Sequence, residues 1–164
     1  MSNDNDMDQI TENIWLGGWL SAKKLDILKK EGIKKIICVM DNLPPKYSNE
    51  ENFIRKIIKV ADLPSENIIK YFGECINFME GNEKILVHCM AGASRSASMV
   101  IAYIMWKYKR SADDALAFVQ KKRSCVFPNL GFMNQLKKFE SLLKENDYDL
   151  SKINFKTIKW KYTW

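Results

Sequence analysis

The chain has 164 residues, with 26 Lys or Arg, 20 Asp or Glu and one His, so its formal net charge is +6. This length fits one ordinary domain that buries a core without disulfides or metal ions, and no apolar stretch reaches the roughly 20 residues that cross a bilayer. The four cysteines are too widely and irregularly spaced for a disulfide framework or a C-x-x-C metal cluster.

The first forty residues alternate between extended and helical patterns. Residues 14–16, Ile-Trp-Leu, predict a short strand. A helix follows, with Ser21 as its predicted N-cap and Gly32 as the residue that ends it. Residues 36–40 form an apolar run, which is typical of a strand buried on both faces.

A breaker segment, residues 41–50, separates this strand from the next one. Residues 53–60 predict that next strand, and Asp62-Leu63-Pro64 turns the chain out of it. We then expect a helix with Ser65 as its N-cap and Gly81 as its stop. Its predicted apolar face consists of Ile68, Ile69, Phe72, Cys75, Ile76 and Met79.

The second half of the chain continues the alternation. Residues 85–88 predict a core strand, and residues 98–108 predict a helix after a loop of small residues. Ser111 and Asp114 form a capping box for the next helix. Pro128-Asn129 precedes a last helix, whose apolar face is Met133, Leu136, Phe139 and Leu143. We therefore predict a single α/β domain with a central, mostly parallel sheet of about five strands, covered by helices on both faces.

The segment HCMAGASRS, residues 88–96, lies at the predicted strand-loop-helix junction. Small residues let successive backbone N–H groups face inward as an anion-binding nest, at which the next helix points its positive end. These dipoles and Arg95 favour a thiolate at Cys89, and the Arg95 guanidinium can hold two phosphoryl oxygens. An isolated cysteine here would more often be a small buried hydrophobe, but this junction reverses that interpretation. The predicted phosphate-binding residues are Met90, Ala91, Gly92, Ala93, Ser94 and Arg95.

This loop matches the His-Cys-x5-Arg-Ser signature of the cysteine-dependent protein phosphatases and, in particular, resembles the dual-specificity phosphatases. Four other segments resemble that family's blocks in its order and at its spacing: ITENIWLGG (10–18), EGIKKIICV (31–39), VADLPSENI (60–68) and FPNLGFMNQL (127–136). The resemblance covers about residues 8–145 and implies a phosphatase-like fold.

The resemblance also implies a metal-independent mechanism that needs no cofactor. Cys89 would attack phosphorus in line and form a cysteinyl-phosphate, while Arg95 clamps the phosphoryl oxygens. Asp62 would protonate the leaving oxygen and then act as base towards the attacking water.

Three further residues receive supporting roles from the same resemblance. Ser96 resembles the hydroxyl that stabilises the Cys89 thiolate as it leaves, and His88 resembles the residue that orients the cysteine. Asn129 matches a family position near the loop. Ser96 and Asn129 would serve equally well as cap or turn residues, and His88 taken alone would be a core histidine.

Other interpretations stay open at the acid and at the remaining cysteines. Asp62 also suits a turn before Leu-Pro, and Asp41 is the other acidic residue at a strand end. We expect the remaining cysteines to be core or near-core thiols, any of which could be an oxidation partner of Cys89: Cys38, Cys75 and Cys125.

The variable loop positions bear on the substrate. Met90, Ala91 and Ala93 add no lysine, whereas the lipid phosphatases that the loop resembles add basic residues to meet extra phosphates. Similarity to small single-domain members implies a shallow site for phosphotyrosine and phosphoserine or phosphothreonine in a phosphoprotein. The alternatives are a phospho-binding module without catalysis, and an RNA 5′-phosphatase or lipid phosphatase, which only the net charge favours. Because basic and acidic residues are intermingled, we expect no nucleic-acid partner.

We divide the chain into an acidic extension (1–7), a catalytic domain (8–145) and a basic, aromatic tail (146–164). From residue 158 to 164, Ile, Trp, Tyr and Trp alternate with Lys and Thr, which predicts a strand. We expect the tail to dock on the domain's own edge rather than bind a partner or an anionic membrane, because four exposed large apolar side chains favour aggregation. The N-terminus is acidic where a signal peptide is basic and then apolar, so we expect a cytoplasmic or nuclear protein.

Overall fold

The computed structural model describes residues 4–43 and 52–163. It confirms the predicted α/β domain, in which one five-stranded sheet lies between helices on both faces. The strands are β1 (Met7–Gln9), β2 (Ile14–Gly17), β3 (Ile33–Val39), β4 (Ile54–Ile58) and β5 (Lys84–His88). The helices are α1 (Trp19–Lys23), α2 (Leu25–Glu31), α3 (Phe72–Met79), α4 (Arg95–Tyr108), α5 (Ala112–Lys122) and α6 (Leu130–Glu145). Residues 1–3, residues 44–51, which include most of the breaker segment, and Trp164 lie outside the described residues.

The sheet is parallel except at one edge. In the order β1-β2-β5-β3-β4, only β1 runs antiparallel to its neighbour. Sequence analysis did not predict β1, because its three residues carry a single buried side chain, Met7. β5 lies at the centre of the sheet, so the residues that follow His88 emerge in the middle of its carboxyl edge, where ligands of parallel sheets bind.

Two apolar cores lie on the two faces of the sheet, as the period of two along a strand requires. On β2, Trp15 packs into the smaller core with residues of α1 and α2, whereas Leu16 packs into the larger core. The larger core is shared with α3 to α6, and α4 is buried from Ser96 to Met105. Among the described helices, none combines the length and apolar character that a membrane crossing requires.

Several predicted helix ends are confirmed. Gly32 ends α2 with φ of +81°, a left-handed conformation that glycine adopts without steric cost. The Ser111 hydroxyl accepts the Asp114 N–H at 3.1 Å at the start of α5. The Asn129 side chain accepts the Phe132 N–H at 2.9 Å at the start of α6.

The Ser21 and Ser65 caps are wrong. The chain turns directly out of β2, so Ser21 lies buried inside α1 and its hydroxyl donates to the Gly18 carbonyl at 2.6 Å. Ser65 lies in a turn, and the chain enters α3 through a 3-10 turn, Ile69–Tyr71. The buried Ile69 N–H donates instead to the Gln135 side chain of α6 at 3.0 Å, so this donor does not need a serine cap.

The tail does not form the predicted strand within residues 146–163. It contains two 3-10 turns, Leu150–Lys152 and Phe155–Thr157, and then extended chain without sheet pairing. Phe155 packs on Phe139 of α6, with ring centroids 6.0 Å apart, and on α3 at Gly73, where a Cβ would lie 2.5 Å from the Phe155 ring. The tail therefore covers the outer helices rather than the edge of the sheet.

We predict that Phe155→Ala lowers the free energy of unfolding by about 2 kcal/mol, roughly half the cost of truncating a fully buried Phe, because Phe155 is half-buried. Urea denaturation measures this change. Phe127, which is 77% exposed, provides the control, and Phe127→Ala should change stability by less than about 0.5 kcal/mol. Equal stabilities for the two variants would contradict the docked tail.

Candidate active site

The loop from Cys89 to Ser94 joins the carboxyl end of β5 to the first residue of α4, Arg95. It is therefore the strand-loop-helix junction that the sequence predicts. Gly92 has φ of +68°, and a Cβ there would lie 2.5 Å from the Gly17 carbonyl carbon. The loop can turn back against β2 only because this residue is glycine.

The Cys89 sulfur lies inside this loop. It accepts the Gly92 N–H at 3.3 Å and the Ser96 hydroxyl at 3.1 Å, and Cys89 is only 2% exposed. Two donors at one sulfur stabilise a thiolate more than a thiol, because a negative sulfur is the stronger acceptor. The Ser96 hydroxyl, on the first turn of α4, therefore lies within hydrogen-bond distance of the Cys89 sulfur that the resemblance expects it to stabilise.

Arg95 is held by one end of its guanidinium. Its Nη1 donates to Asp41 Oδ1 at 3.0 Å and to the Val60 carbonyl at 3.0 Å. Its Nε is buried and has no hydrogen-bond partner among the described residues. A buried N–H without a partner is costly, so this atom is suited to donate to an oxygen of a ligand. Asp41, the alternative acid, is engaged in an ion pair with Arg95 instead.

Arg123 supports the loop from behind and was missed by the sequence analysis. Its Nε donates to the Gly92 carbonyl and its Nη2 to the Ala91 carbonyl, each at 3.0 Å. Asp6 and Asp8, beside and in β1, accept from the same guanidinium at 2.9 and 3.0 Å. Because the carbonyls at 91 and 92 are bound on the outer side, the backbone donors of the loop can face inward. The sequence gives no local signal for these contacts, which join Arg123 to loop residues 31 and 32 positions away and to carboxylates 115 and 117 positions away.

Asp62 is connected to the loop through Asn129. The Asn129 Nδ2 donates to Asp62 Oδ1 at 2.9 Å, and the Asn129 backbone N–H donates to the Ser94 hydroxyl at 3.0 Å. Asn129 is also the N-cap of α6. One side chain therefore caps the helix and contacts Asp62, so both roles that the sequence allowed are filled. The Asp62 carboxyl is exposed, so a ligand can approach it.

His88 lies beneath the loop. It is fully buried, and its Nδ1 lies 3.2 Å from the Cys89 carbonyl oxygen. Burial lowers the pKa of His88 from 6.5 to about 4, and the hydrogen bond to the Cys89 carbonyl opposes this shift only in part. His88 is therefore neutral at pH 7 and fixes the backbone at the cysteine rather than transferring a proton.

The remaining predicted residues divide between the rim and the interior. Met90 and Ala91 lie at the exposed rim, Ala93 is half-buried and Ser94 is buried. Cys38 and Cys75 are buried and Cys125 is exposed. Burial raises the pKa of the Cys75 thiol to about 12, so this cysteine is inert near neutral pH.

The chain is similar to known proteins over the region that forms this site. The family model for the dual specificity phosphatase catalytic domain matches residues 14–142. The serine/threonine/tyrosine-interacting protein of Pongo abelii is 40% identical over 146 residues, covering 84% of this chain and 66% of that protein. Human dual specificity protein phosphatase 7 is 41% identical over 139 residues, covering 82% of this chain and 33% of that protein.

Solved structures agree with these matches. The human tyrosine phosphatase-like serine/threonine/tyrosine-interacting protein superimposes with a TM-score of 0.80 at 39% identity, covering 84% of this chain and 97% of that chain. A mouse putative dual specificity phosphatase, solved with zinc tungstate, gives a TM-score of 0.82 at 26% identity, with 90% and 94% coverage.

The buried His88 predicts a specific loss of stability in acid. The unfolded chain binds a proton at a pKa near 6.5, whereas the folded chain does so only near pH 4. The stability contributed by the neutral imidazole is thus present above pH 6.5 and is lost as the pH falls towards 4. Between pH 7 and pH 5 the wild type should lose about 2 kcal/mol more unfolding free energy than His88→Gln, as measured by urea denaturation at both pH values. Parallel losses in the two proteins would contradict the neutral, buried state.

Proposed function

The chain belongs to the dual specificity phosphatase family, and from this premise we propose that it hydrolyses phosphotyrosine and phosphoserine or phosphothreonine in phosphoproteins through a cysteinyl-phosphate. The observation that carries the proposal is the Cys89 sulfur, which receives two hydrogen bonds inside a loop that the Arg95 side chain borders. The buried Nε of Arg95, which has no hydrogen-bond partner among the described residues, supports an oxyanion as the ligand of this loop.

In the first step the Cys89 thiolate attacks phosphorus and the bond from phosphorus to the leaving oxygen breaks. Asp62 gives its proton to that oxygen, so the departing group leaves as a neutral phenol or alcohol. Arg95 and the inward N–H groups of the loop bind the equatorial oxygens and spread the charge that they carry in the transition state.

In the second step a water molecule attacks the phosphorus of the cysteinyl-phosphate. The Asp62 carboxylate takes a proton from this water, and the bond from sulfur to phosphorus breaks. The Ser96 hydroxyl, at 3.1 Å from the sulfur, donates to the thiolate that is regenerated. The products are inorganic phosphate and the enzyme with its acid again protonated, so no metal or cofactor takes part.

The loop composition favours a monoester as substrate. Met90, Ala91 and Ala93 bring no cation that would meet the additional phosphates of a lipid or a triphosphate end. The exposed Met90 and Leu63, 52% and 54% exposed, give the rim an apolar character that suits a peptide. A phosphoprotein is therefore the partner that we propose.

A second candidate is a module that binds phosphorylated residues without cleaving them. It is favoured by the names of the related serine/threonine/tyrosine-interacting proteins, which describe interaction rather than hydrolysis. Against it stands the combination of a thiol at the floor of the loop and an acid connected to its rim, since a binding module needs neither.

The chain spans 66% of the serine/threonine/tyrosine-interacting protein and 33% of dual specificity protein phosphatase 7. We propose that residues 8–145 form the catalytic domain and that the protein acts in the cytoplasm or nucleus.

Phosphate release from phosphotyrosine and phosphothreonine peptides, with a chelator present, tests the reaction. We expect Cys89→Ser to abolish it, because a hydroxyl at this position is a much weaker nucleophile, while phosphopeptide binding persists. Cys125→Ser, which alters an exposed cysteine, should retain wild-type turnover. Loss of activity with the chelator, or turnover by Cys89→Ser, would overturn the mechanism. A wild type that binds phosphopeptides and releases no phosphate would instead support the binding module.

Replacing each candidate acid distinguishes their roles. Asp62→Asn should lower kcat on a phosphotyrosine peptide by about 10²-fold or more, but lower it far less on an aryl phosphate whose leaving group needs no proton. Asp41→Asn should affect both substrates alike, because Asp41 pairs with Arg95 and not with the leaving group. Comparing kcat and KM for both substrates provides the measurement. Unchanged peptide turnover in Asp62→Asn would show that another group is the acid.

A further inference from the structure

The tail makes two direct hydrogen bonds to the acid loop, residues 61–67, which contains Asp62. The Trp160 indole Nε1 donates to the Pro64 carbonyl at 2.8 Å. The Asn67 Nδ2 donates to the Ile158 carbonyl at 2.8 Å. Both contacts cross more than 90 positions of sequence, and Pro64 lies two residues after Asp62. The family match ends at residue 142, so these contacts come from a segment outside it.

The acid loop also rests on α6. A Cβ at Gly131 would lie 2.5 Å from the Pro64 Cα and would overlap the Pro64 carbonyl, so only glycine allows this approach. Gln135 also donates to the Glu66 carbonyl at 2.9 Å. Pro64 is therefore in contact with both the first turn of α6 and the indole of the tail.

Beyond these contacts, the acid loop is held from outside by the Asn129 Nδ2 bond to Asp62 Oδ1 at 2.9 Å, and little else fixes its position. None of its residues from 61 to 67 is fully buried, and Asp62 and Leu63 are exposed. Its internal support is the Ala61 N–H bonded to Glu66 Oε1 at 3.0 Å and the Glu66 N–H bonded to the Leu63 carbonyl at 3.0 Å. A segment with so few buried contacts takes its position from the groups that pack on it.

We propose that Trp160 is a positioning residue for the proton-transfer step, acting through Pro64 on the place of the Asp62 carboxyl. The inference rests on the proposed function, because it takes Asp62 to be the acid. Proton transfer requires heavy atoms within about 2.6–3.2 Å, and a displacement of about 1 Å can cost about 10²-fold in rate. One lost hydrogen bond displaces the loop only part of the time, so we expect a smaller effect, roughly tenfold.

The test compares Trp160→Phe, which removes the indole N–H and keeps an aromatic ring, with the matched control Trp106→Phe. Trp106 makes the same kind of bond, from Nε1 to the Tyr148 carbonyl at 3.0 Å, away from the acid loop. Trp160→Phe should lower kcat about tenfold on a phosphotyrosine peptide and by less than about twofold on an activated aryl phosphate. Trp106→Phe should lower neither selectively. An equal fall on both substrates, or no fall, would overturn the proposal.

A double-mutant cycle identifies the residue through which Trp160 acts. In the Asp62→Asn background, Trp160→Phe should no longer change peptide turnover, because the group that it positions is absent. A second tenfold loss in that background would place its action elsewhere and overturn the proposal.

A measurement that needs no activity separates this inference from the proposed function. Amide hydrogen exchange of residues 61–67 should be faster in Trp160→Phe than in the wild type and in Trp106→Phe. If the wild type releases no phosphate, the proposed function fails, and unchanged exchange in Trp160→Phe then overturns the restraint itself. Faster exchange in such a protein supports the tail as the element that holds the loop.

Discussion

The site depends on one constraint, which is that the peptide groups of the loop after β5 must present their N–H side to the Cys89 sulfur and their carbonyl side to Arg123. A loop of six residues cannot satisfy both sides by itself. Arg123 occupies the outer side with bonds to two carbonyls, and Asp6 and Asp8 balance its charge. The short edge strand β1 is therefore part of the site's support, since it brings these carboxylates behind the loop.

Contacts from distant segments also hold Asp62, the proposed acid. Asn129 bonds the Ser94 hydroxyl through its backbone and the Asp62 carboxyl through its side chain, so the loop, the start of α6 and the acid form one chain of contacts. Cys89, the proposed nucleophile, lies at the centre of the sheet, where β5 and the part of α4 from Ser96 to Met105 are buried. Asp62, the proposed acid, lies in an exposed segment whose position relies on contacts with distant parts of the chain.

Local patterns of sequence predicted the parts of the molecule that local physics determines. The buried strands, the capped helices α5 and α6 and the loop at Cys89 follow from period, cap residues and small side chains. The Ser65 cap failed because Gln135, from a helix 66 residues away, satisfies the donor at Ile69. The predicted strand in the tail is wrong because alternating side chains do not show whether a sheet edge is available for pairing. In the structure Phe155 packs on helices instead. The sequence analysis missed Arg123 because its bonds to Asp6 and Asp8 form only when the end of α5 and β1 come together in the folded chain.

Binding and hydrolysis require different parts of this fold. Holding a phosphate needs the loop, Arg95 and the support from Arg123, which all lie in or against the buried core. Hydrolysis needs in addition a carboxyl at the correct distance from the leaving oxygen, and that requirement falls on the least buried segment of the site. Small changes in the contacts of Pro64 would therefore alter turnover while leaving phosphate binding intact. Within the proposed mechanism, turnover therefore depends on the acid loop and its neighbours more than on the sheet.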